Sequence, residues 1–451
     1  MQNSISKLFL LACMFLALSQ KGRAAVYVAL TNSAEAMSQL KNIKSGTLID
    51  VCADISLPSY RWEVPDGCSI RYSGGLLRMA EIVGRDTRVL AAEDQLFEVN
   101  KISGSWKVNV ALPEWFGAKS DGKFDCSSAI AKAMLLNPSE LKFTQGTYLV
   151  SQPILTHHSD ICISRDAILA ARNELSLQMK DYKGKLVTAQ GLIVGDYTQD
   201  FSREVYGLQL QPKIYGGGCI DGRYKASVGI LLNKGFRVIV RDLTIKDFNK
   251  FGFVAALSKD AAGSSIMQNC TFVNDDGYQN SPSSIQHHPN AVAIRNNRYD
   301  CTYEDVMIIN YQVGVVHEAD NGKFTNIHSW LRDGFYWPNS VVFDCYAPDV
   351  TLVACDADTM RKLVKCHSDY FFANIISSRA YKNPDVVSDE LACKYPPLIV
   401  DKGDTKDSQV YLSGGAYWFE VPYEIINNLS SFDRVKVHRY NRGKVTMKLD
   451  N

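Results

Sequence analysis

The stretch that decides the fold is Pro113–Ser127, PEWFGAKSDGKFDCS, which runs on through an alanine-rich segment into Leu141–Ser151, LKFTQGTYLVS. Gly117, Gly122 and Gly146 supply the freedom that tight turns need. Asp125 or Ser127 stands where a helix N-cap belongs. Ala129, Ile130, Ala133 and Met134 then recur at helical spacing, which predicts a short helix over 127–136. The stretch reads as a turn, a capping helix and a strand, and its aspartates as structural rather than catalytic.

Outside it, helical periodicity is nearly confined to Ser33–Lys41, where Ala34, Met37 and Leu40 share a face. The remainder is short β-rich pieces punctuated by Gly, Asn and Asp, without the regular hairpin signals of an antiparallel sandwich. VIVRDLTIKDFNKFGFVAA, SIMQNCTFVNDDGYQ, YEDVMIINYQVGVVHEA and GKFTNIHSWLRDGFYWPN instead share one pattern. Each has an alternating apolar strand, a polar turn and a glycine, aligned at Gly252, Gly277, Gly314 and Gly334. DVTLVACDADTMRKLVKC is a further unit without the glycine. Degenerate units of this kind are how stacked solenoid coils look in sequence; an irregular β-sandwich is the alternative.

Residues 1–25 read as an export signal: Lys7, an apolar run from Leu8 to Leu18, and a small-residue cleavage site at Ala24–Ala25. Cys13 in LLAC offers a lipid anchor as the alternative. No later segment is apolar enough for a membrane span, so the expected location is secreted or periplasmic, or lipid-anchored at the cell surface. Removing Lys7, Lys21 and Arg23 takes the formal charge from +1 to −2, without the basic surplus of a nucleic-acid binder. Of twelve cysteines, the loss of Cys13 leaves eleven. They form no paired C-x-x-C zinc pattern, and most are expected as small buried residues, with room for one or two disulfides. The organisation expected is a signal (1–25), an N-terminal β-rich segment or extra coils (26–111), the main solenoid (112–410) and a C-terminal β-rich closing segment (411–451).

The segment Glu114–Ile154 resembles the leading segment of the pectate-lyase-like superfamily. The resemblance rests on Trp115, Phe116, Gly117, Ala118, Asp121, Gly122, Asp125, Gly146, Thr147 and Tyr148. Cys126 departs from it where the family usually has an acid, and FTQG replaces a proline-containing turn. The resemblance implies an all-β fold, a right-handed parallel β-helix with its end covered by the 127–136 helix. It also implies a long carbohydrate lying in a groove along one face, and it specifies no reaction.

Candidate chemistry concentrates in the middle coils. Four of the chain's eight histidines are His287, His288, His317 and His328, and Arg295, Tyr299, Tyr311, Arg332, Tyr336 and Trp337 share their section. A uronate lyase needs a cation for the C6 carboxylate, a base for the C5 proton and often an acid for the leaving oxygen. Histidine suits the base, arginine clamps a carboxylate, and an aromatic face packs on a sugar ring. His288 or His317 is therefore the expected base, Arg295 or Arg332 the clamp, and a tyrosine such as Tyr336 the acid. His287, Tyr299 and Trp337 are expected to bind substrate, with Tyr278–Asn290 as a loop rimming the groove.

The second signal is acidic. Asp275, Asp276 and Asp333 lie in turns before glycine, and the unit alignment puts Asp276 and Asp333 in one column two coils apart. At about 4.7–4.9 Å per coil that is roughly 10 Å, near the upper limit of the roughly 6.5–9.5 Å of an inverting glycosidase. The same acids could hold calcium, the one cofactor considered.

The reading is thus a secreted lyase cleaving a pectin-like or glycosaminoglycan-like acidic polysaccharide by β-elimination. A glycoside hydrolase using the clustered aspartates, or a non-catalytic glycan-binding solenoid, is the alternative. Nucleic-acid partners are not expected.

Overall fold

A computed structural model describes residues 26–91, 94–197, 211–235, 237–258, 264–274, 290–332, 337, 339–381 and 398–401, and five short strand segments beyond 406. The export signal, the Tyr278–Pro289 part of the rim loop, Asp275, Asp276, Asp333 and Tyr336 lie outside the described residues. The chain divides into two compact units: residues up to 117 with 132–139, and 118–131 with 140 onward.

In the N-terminal unit the helix expected at Ser33–Lys41 is α1, Ser33–Asn42, capped by Asn32, whose Oδ1 accepts from Glu35 N at 2.9 Å. The strands pair in parallel in two rows. One row runs Tyr27–Leu30, Leu48–Val51, Ser69–Tyr72 and the end of Leu77–Leu90. The other runs Ile55–Glu63, the start of Leu77–Leu90 and Phe97–Lys107. Ile49, Ile70, Leu77, Ile82 and Phe97 fill the space between the rows.

The larger unit is a parallel β-helix whose coils each contribute to three rows of strands. Row 1 includes Asp160–Ile163, Lys213–Tyr215, Val238–Arg241 and Asp349–Val353. Row 2 includes Ala167–Ala171, Cys219–Asp221, Thr244–Lys246, Asp356–Asp358 and Arg379–Tyr381. Three longer strands, Ser265–Val273, Thr302–Ile309 and Lys323–Trp330, serve both rows by bending in the middle. Row 3 is an eleven-stranded parallel sheet, from Ile154–Thr156 to Val445–Thr446. Past residue 411 the chain continues the rows, with Tyr423–Asn427 pairing onto Leu398–Asp401.

The corner between rows 1 and 2 explains the recurring Asn and Asp. Asp242, Asn269, Asp305, Asn326, Ala354 and Ser377 all have φ between 50° and 58°, a left-handed conformation that Asn and Asp tolerate best. Consecutive members bond to each other: Asn269 Nδ2 donates to Asp242 Oδ1 at 2.9 Å, and Asn326 Nδ2 to Asp305 Oδ1 at 2.7 Å.

The repeating glycine has a packing cause. Row 3 aligns Gly229, Gly252, Ala293 and Gly314 in one inward column. A Cβ on Gly252 would lie 2.5 Å from the Phe272 ring, and one on Gly314 2.8 Å from Val342 O. The column continues as Val342 and Leu363, both buried in the core, so of the four aligned glycines Gly252 and Gly314 are the ones that stand in it. Gly277 and Gly334 are outside the described residues.

The decisive stretch folds as read. Gly117, Gly122 and Gly146 have φ of 82°, 70° and 77°, and a Cβ on Gly146 would meet Ser120 O at 2.4 Å. The predicted helix is α2, Ser127–Met134. Asp125 Oδ1 accepts from Ser127 N at 3.0 Å and Ser127 Oγ at 2.6 Å, which removes it from any free catalytic role. Cys52, Cys68, Cys162, Cys219, Cys270, Cys301, Cys345 and Cys355 are thiols, not disulfides. No helix among the described residues is long and apolar enough to cross a membrane.

Two stability predictions follow from these columns. Gly252→Val should destabilise the solenoid by about 1–3 kcal/mol through overpacking against Phe272, read as a lower midpoint in chemical denaturation. Ala354→Asn should raise the thermal midpoint, because Asn relieves the left-handed cost of about 1 kcal/mol that alanine bears there.

Candidate active site

Strand alternation selects the residues that face outward. In row 2, Ser329, Ala357 and Ala380 point into the core at 1%, 1% and 3% exposure. Their neighbours therefore face out, and in-register pairing stacks them. His328, Asp356 and Arg379 form one column, and Trp330 and Asp358 the adjacent one.

This places two carboxylates on one face around an imidazole. His328 Nδ1 is 3.9 Å from Asp356 Oδ2, and its Nε2 is 3.7 Å from Asp358 Oδ2. Both distances exceed a hydrogen bond. Arg379 grips Asp356 with two prongs, Nε to Oδ1 at 2.8 Å and Nη2 to Oδ2 at 2.5 Å, the geometry in which guanidinium and carboxylate bind most strongly. The Asp356 side chain is only 2% exposed, against 14% for Asp358 and 33% for His328. Asp358 Oδ1 is buried without a hydrogen-bond partner. Trp330, on the same face, carries the Arg332 guanidinium 5.5 Å from its ring centroid. Two residues along a strand set their Cα atoms roughly 6.6 Å apart, and the His328 ring stands near both carboxylates.

The sequence-derived candidates distribute differently. His317 faces the core with 0% exposure. Its Nε2 lies 2.8 Å from the Asp349 carbonyl oxygen and must donate to it, so its Nδ1 accepts from Asn296 Nδ2 at 2.9 Å. Tyr303 OH completes the chain by donating to Asn296 Oδ1 at 3.1 Å. Both ring nitrogens are thus committed, and the expected base role for His317 gives way to a core-bracing one. Arg295 lies on the outer face of row 3, not row 2. It makes a paired bond to Glu318, at 2.9 and 3.2 Å, and covers the Phe251 ring. Its expected role as a carboxylate clamp is therefore taken up by Glu318. Tyr311 is buried at 1% exposure, so it cannot face a sugar. Tyr299 is exposed at the corner after row 3, while Arg332 and the half-buried Trp337 follow row 2. Arg332 N donates to Asn310 Oδ1 at 2.8 Å, which anchors that turn. His287, His288, Asp276, Asp333 and Tyr336 are outside the described residues.

Asp356, Asp358 and Arg379 were not singled out from sequence. The signal was present in DAD, two acids flanking an alanine: an alanine facing the core obliges both acids to face out. Among the described residues no group of three or more His, Cys, Asp or Glu is arranged to hold a metal.

No protein-family model matches the chain, and no curated protein matches it by sequence. Solved structures do resemble it. The ORF18 protein of Geobacillus virus E2 is 14% identical over 75% of this chain, at a TM-score of 0.45. The gp42 tailspike of Acinetobacter phage vb_AbaP_AS12 is 15% identical over 70% of it, at 0.42. The chain spans 60% and 52% of these two proteins. A hyperthermoactive exopolygalacturonase from Thermotoga maritima is 11% identical over 76% of this chain and 91% of its own, at 0.44. At such identities and scores, neither activity nor substrate transfers from them.

Burial of His317 has a measurable consequence. Removal from water pushes its imidazole below the ordinary histidine pKa. The unfolded chain then takes up a proton below about pH 6.5 that the native state refuses. Stability contributed by His317 is therefore full above that pH and is lost as pH falls through it. Replacing it in His317→Gln should flatten the dependence of the denaturation midpoint on pH below about 6.5.

Proposed function

We propose that the β-helix unit hydrolyses glycosidic bonds in a polysaccharide lying across the outer face of row 2. The observation that carries this is the pair Asp356 and Asp358, outward on one strand with His328 between them and Trp330 beside them. Hydrolysis of this kind needs one carboxyl to protonate the leaving oxygen and another to activate water, separated by roughly 6.5–9.5 Å when configuration inverts. The strand rise sets the two Cα atoms roughly 6.6 Å apart. Asp358, whose Oδ1 has no protein partner, is assigned as the proton donor. Asp356, oriented by Arg379, is assigned to the attacking water. His328 stands within 4 Å of one oxygen of each, close enough for a protonated imidazole to attract both carboxylates. Trp330 gives a sugar ring an apolar face to pack on. A polysaccharide on this face also accords with the long carbohydrate that the resemblance of Glu114–Ile154 implies.

Elimination is less well served by the described residues. A lyase must welcome a uronate carboxylate, whereas the two aspartates here repel one. Of the cations, Arg379 is engaged by Asp356, Arg295 by Glu318, and Arg332 lies over the Trp330 ring.

The test is a polysaccharide panel, neutral and acidic, read for new reducing ends and for the ultraviolet absorbance of unsaturated uronates. Reducing ends without the chromophore are expected, and Asp358→Asn should lower the rate about 10²–10⁴-fold, the usual contribution of a positioned acid. Appearance of the chromophore would establish the lyase reading instead. No product from any polymer would leave the surface as a binding one.

A further inference from the structure

We propose that the N-terminal unit holds a separate binding site for one neutral sugar residue, in a cleft where three stacked turns meet. Register places these turns one above another: Val51 pairs with Tyr72, and Ile55 with Leu77, which pairs with Phe97. The chain between these strands supplies Asp54 from the first turn, Gly74–Leu76 from the second, and Asp94–Leu96 from the third. They enclose a cavity of about 250 Å³, with Tyr72 also in its wall. That is just under the roughly 300–1,000 Å³ of pockets for drug-sized ligands, and suits a single ring.

The turn geometry is built around this opening. Gly74 has φ of 99°, and a Cβ on Gly75 would lie 2.3 Å from the Ala53 carbonyl oxygen. Only glycine lets the second turn press onto the first while the third stands clear.

The lining is the chemistry of a polyhydroxylated ring. The carboxylates of Asp54 and Asp94 accept hydrogen bonds, Gln95 offers its amide oxygen as an acceptor while its Nε2 donates to Phe97 O at 3.4 Å, and Leu76 and Leu96 offer apolar contact for C–H faces. Tyr72 carries a buried hydroxyl with no hydrogen-bond partner in the protein. Its ring is fixed edge-on against Phe97, with centroids 5.5 Å apart, and burial pushes its pKa well up, so it stays a neutral phenol. The cleft also selects against acidic sugars. The Asp54 carboxylate has Arg78 no nearer than 4.0 Å, and the Nε of Arg78 is bound to Glu98 at 2.6 Å. Two carboxylates therefore outweigh the positive charge at the opening.

This site stands independently of catalysis on the β-helix. The experiment is saturation-transfer NMR on the whole chain with glucose, galactose, mannose and N-acetylglucosamine, alongside galacturonate and calcium chloride. Saturable millimolar binding of at least one neutral sugar is expected. Asp94→Ala should weaken it about tenfold or more, while Asp358→Asn leaves it unchanged. Asp94 is exposed, so the variant should keep the wild-type thermal midpoint, and Gln95→Ala repeats the test with a second lining residue. The proposal is overturned if no neutral sugar binds, if only galacturonate or calcium does, or if both cleft variants bind as the wild type does.

Discussion

The constraint on which the rest depends is the in-register parallel stacking of successive coils. Within a row, backbone N–H and C=O groups pair with the coil above or below, which satisfies buried backbone polar groups. The spacing of about 4.7–4.9 Å that results converts sequence positions a coil apart into touching side chains. Columns follow from this. Tyr303 stacks on Phe324, with centroids 5.0 Å apart and planes 8° from parallel. The Asn and Asp of the left-handed corner bond to one another in the same way.

The same stacking makes and limits the candidate site. His328, Asp356 and Arg379 come from three different coils, and nothing in their sequence separation brings them together except register. Core packing decides which side they present: small residues at Ala357 and Ala380 face inward, so the acids and the arginine must face out. One arginine on two carboxylates leaves the group short of positive charge.

Much of the fold was legible because its signals are local. Gly117, Gly122 and Gly146 announce turns, Asp125 caps α2, and Gly252 and Gly314 recur because a facing ring or carbonyl leaves no room for a Cβ. The site was less legible. His317 has the right residue type and the right neighbourhood in sequence, yet the inward phase of its strand commits it to Asn296 and the Asp349 carbonyl. Arg295 and Arg332 are alternatives for one clamp in the sequence, but Arg295 lies in row 3 and Arg332 follows row 2, and Glu318 one coil away already pairs with Arg295. Histidines, arginines and tyrosines are conspicuous in text, whereas two aspartates around an alanine are not.

What the sequence determined by itself is the architecture: strand length, turn positions, helix cap and repeat all act over a few residues, and the chain declares them wherever it folds. Only the tertiary structure decided which side chains share a surface. That depends on the phase of each strand and on coil lengths that vary along the chain. A one-residue change in either turns a surface histidine into a core one, or brings an aspartate from a distant coil beside it.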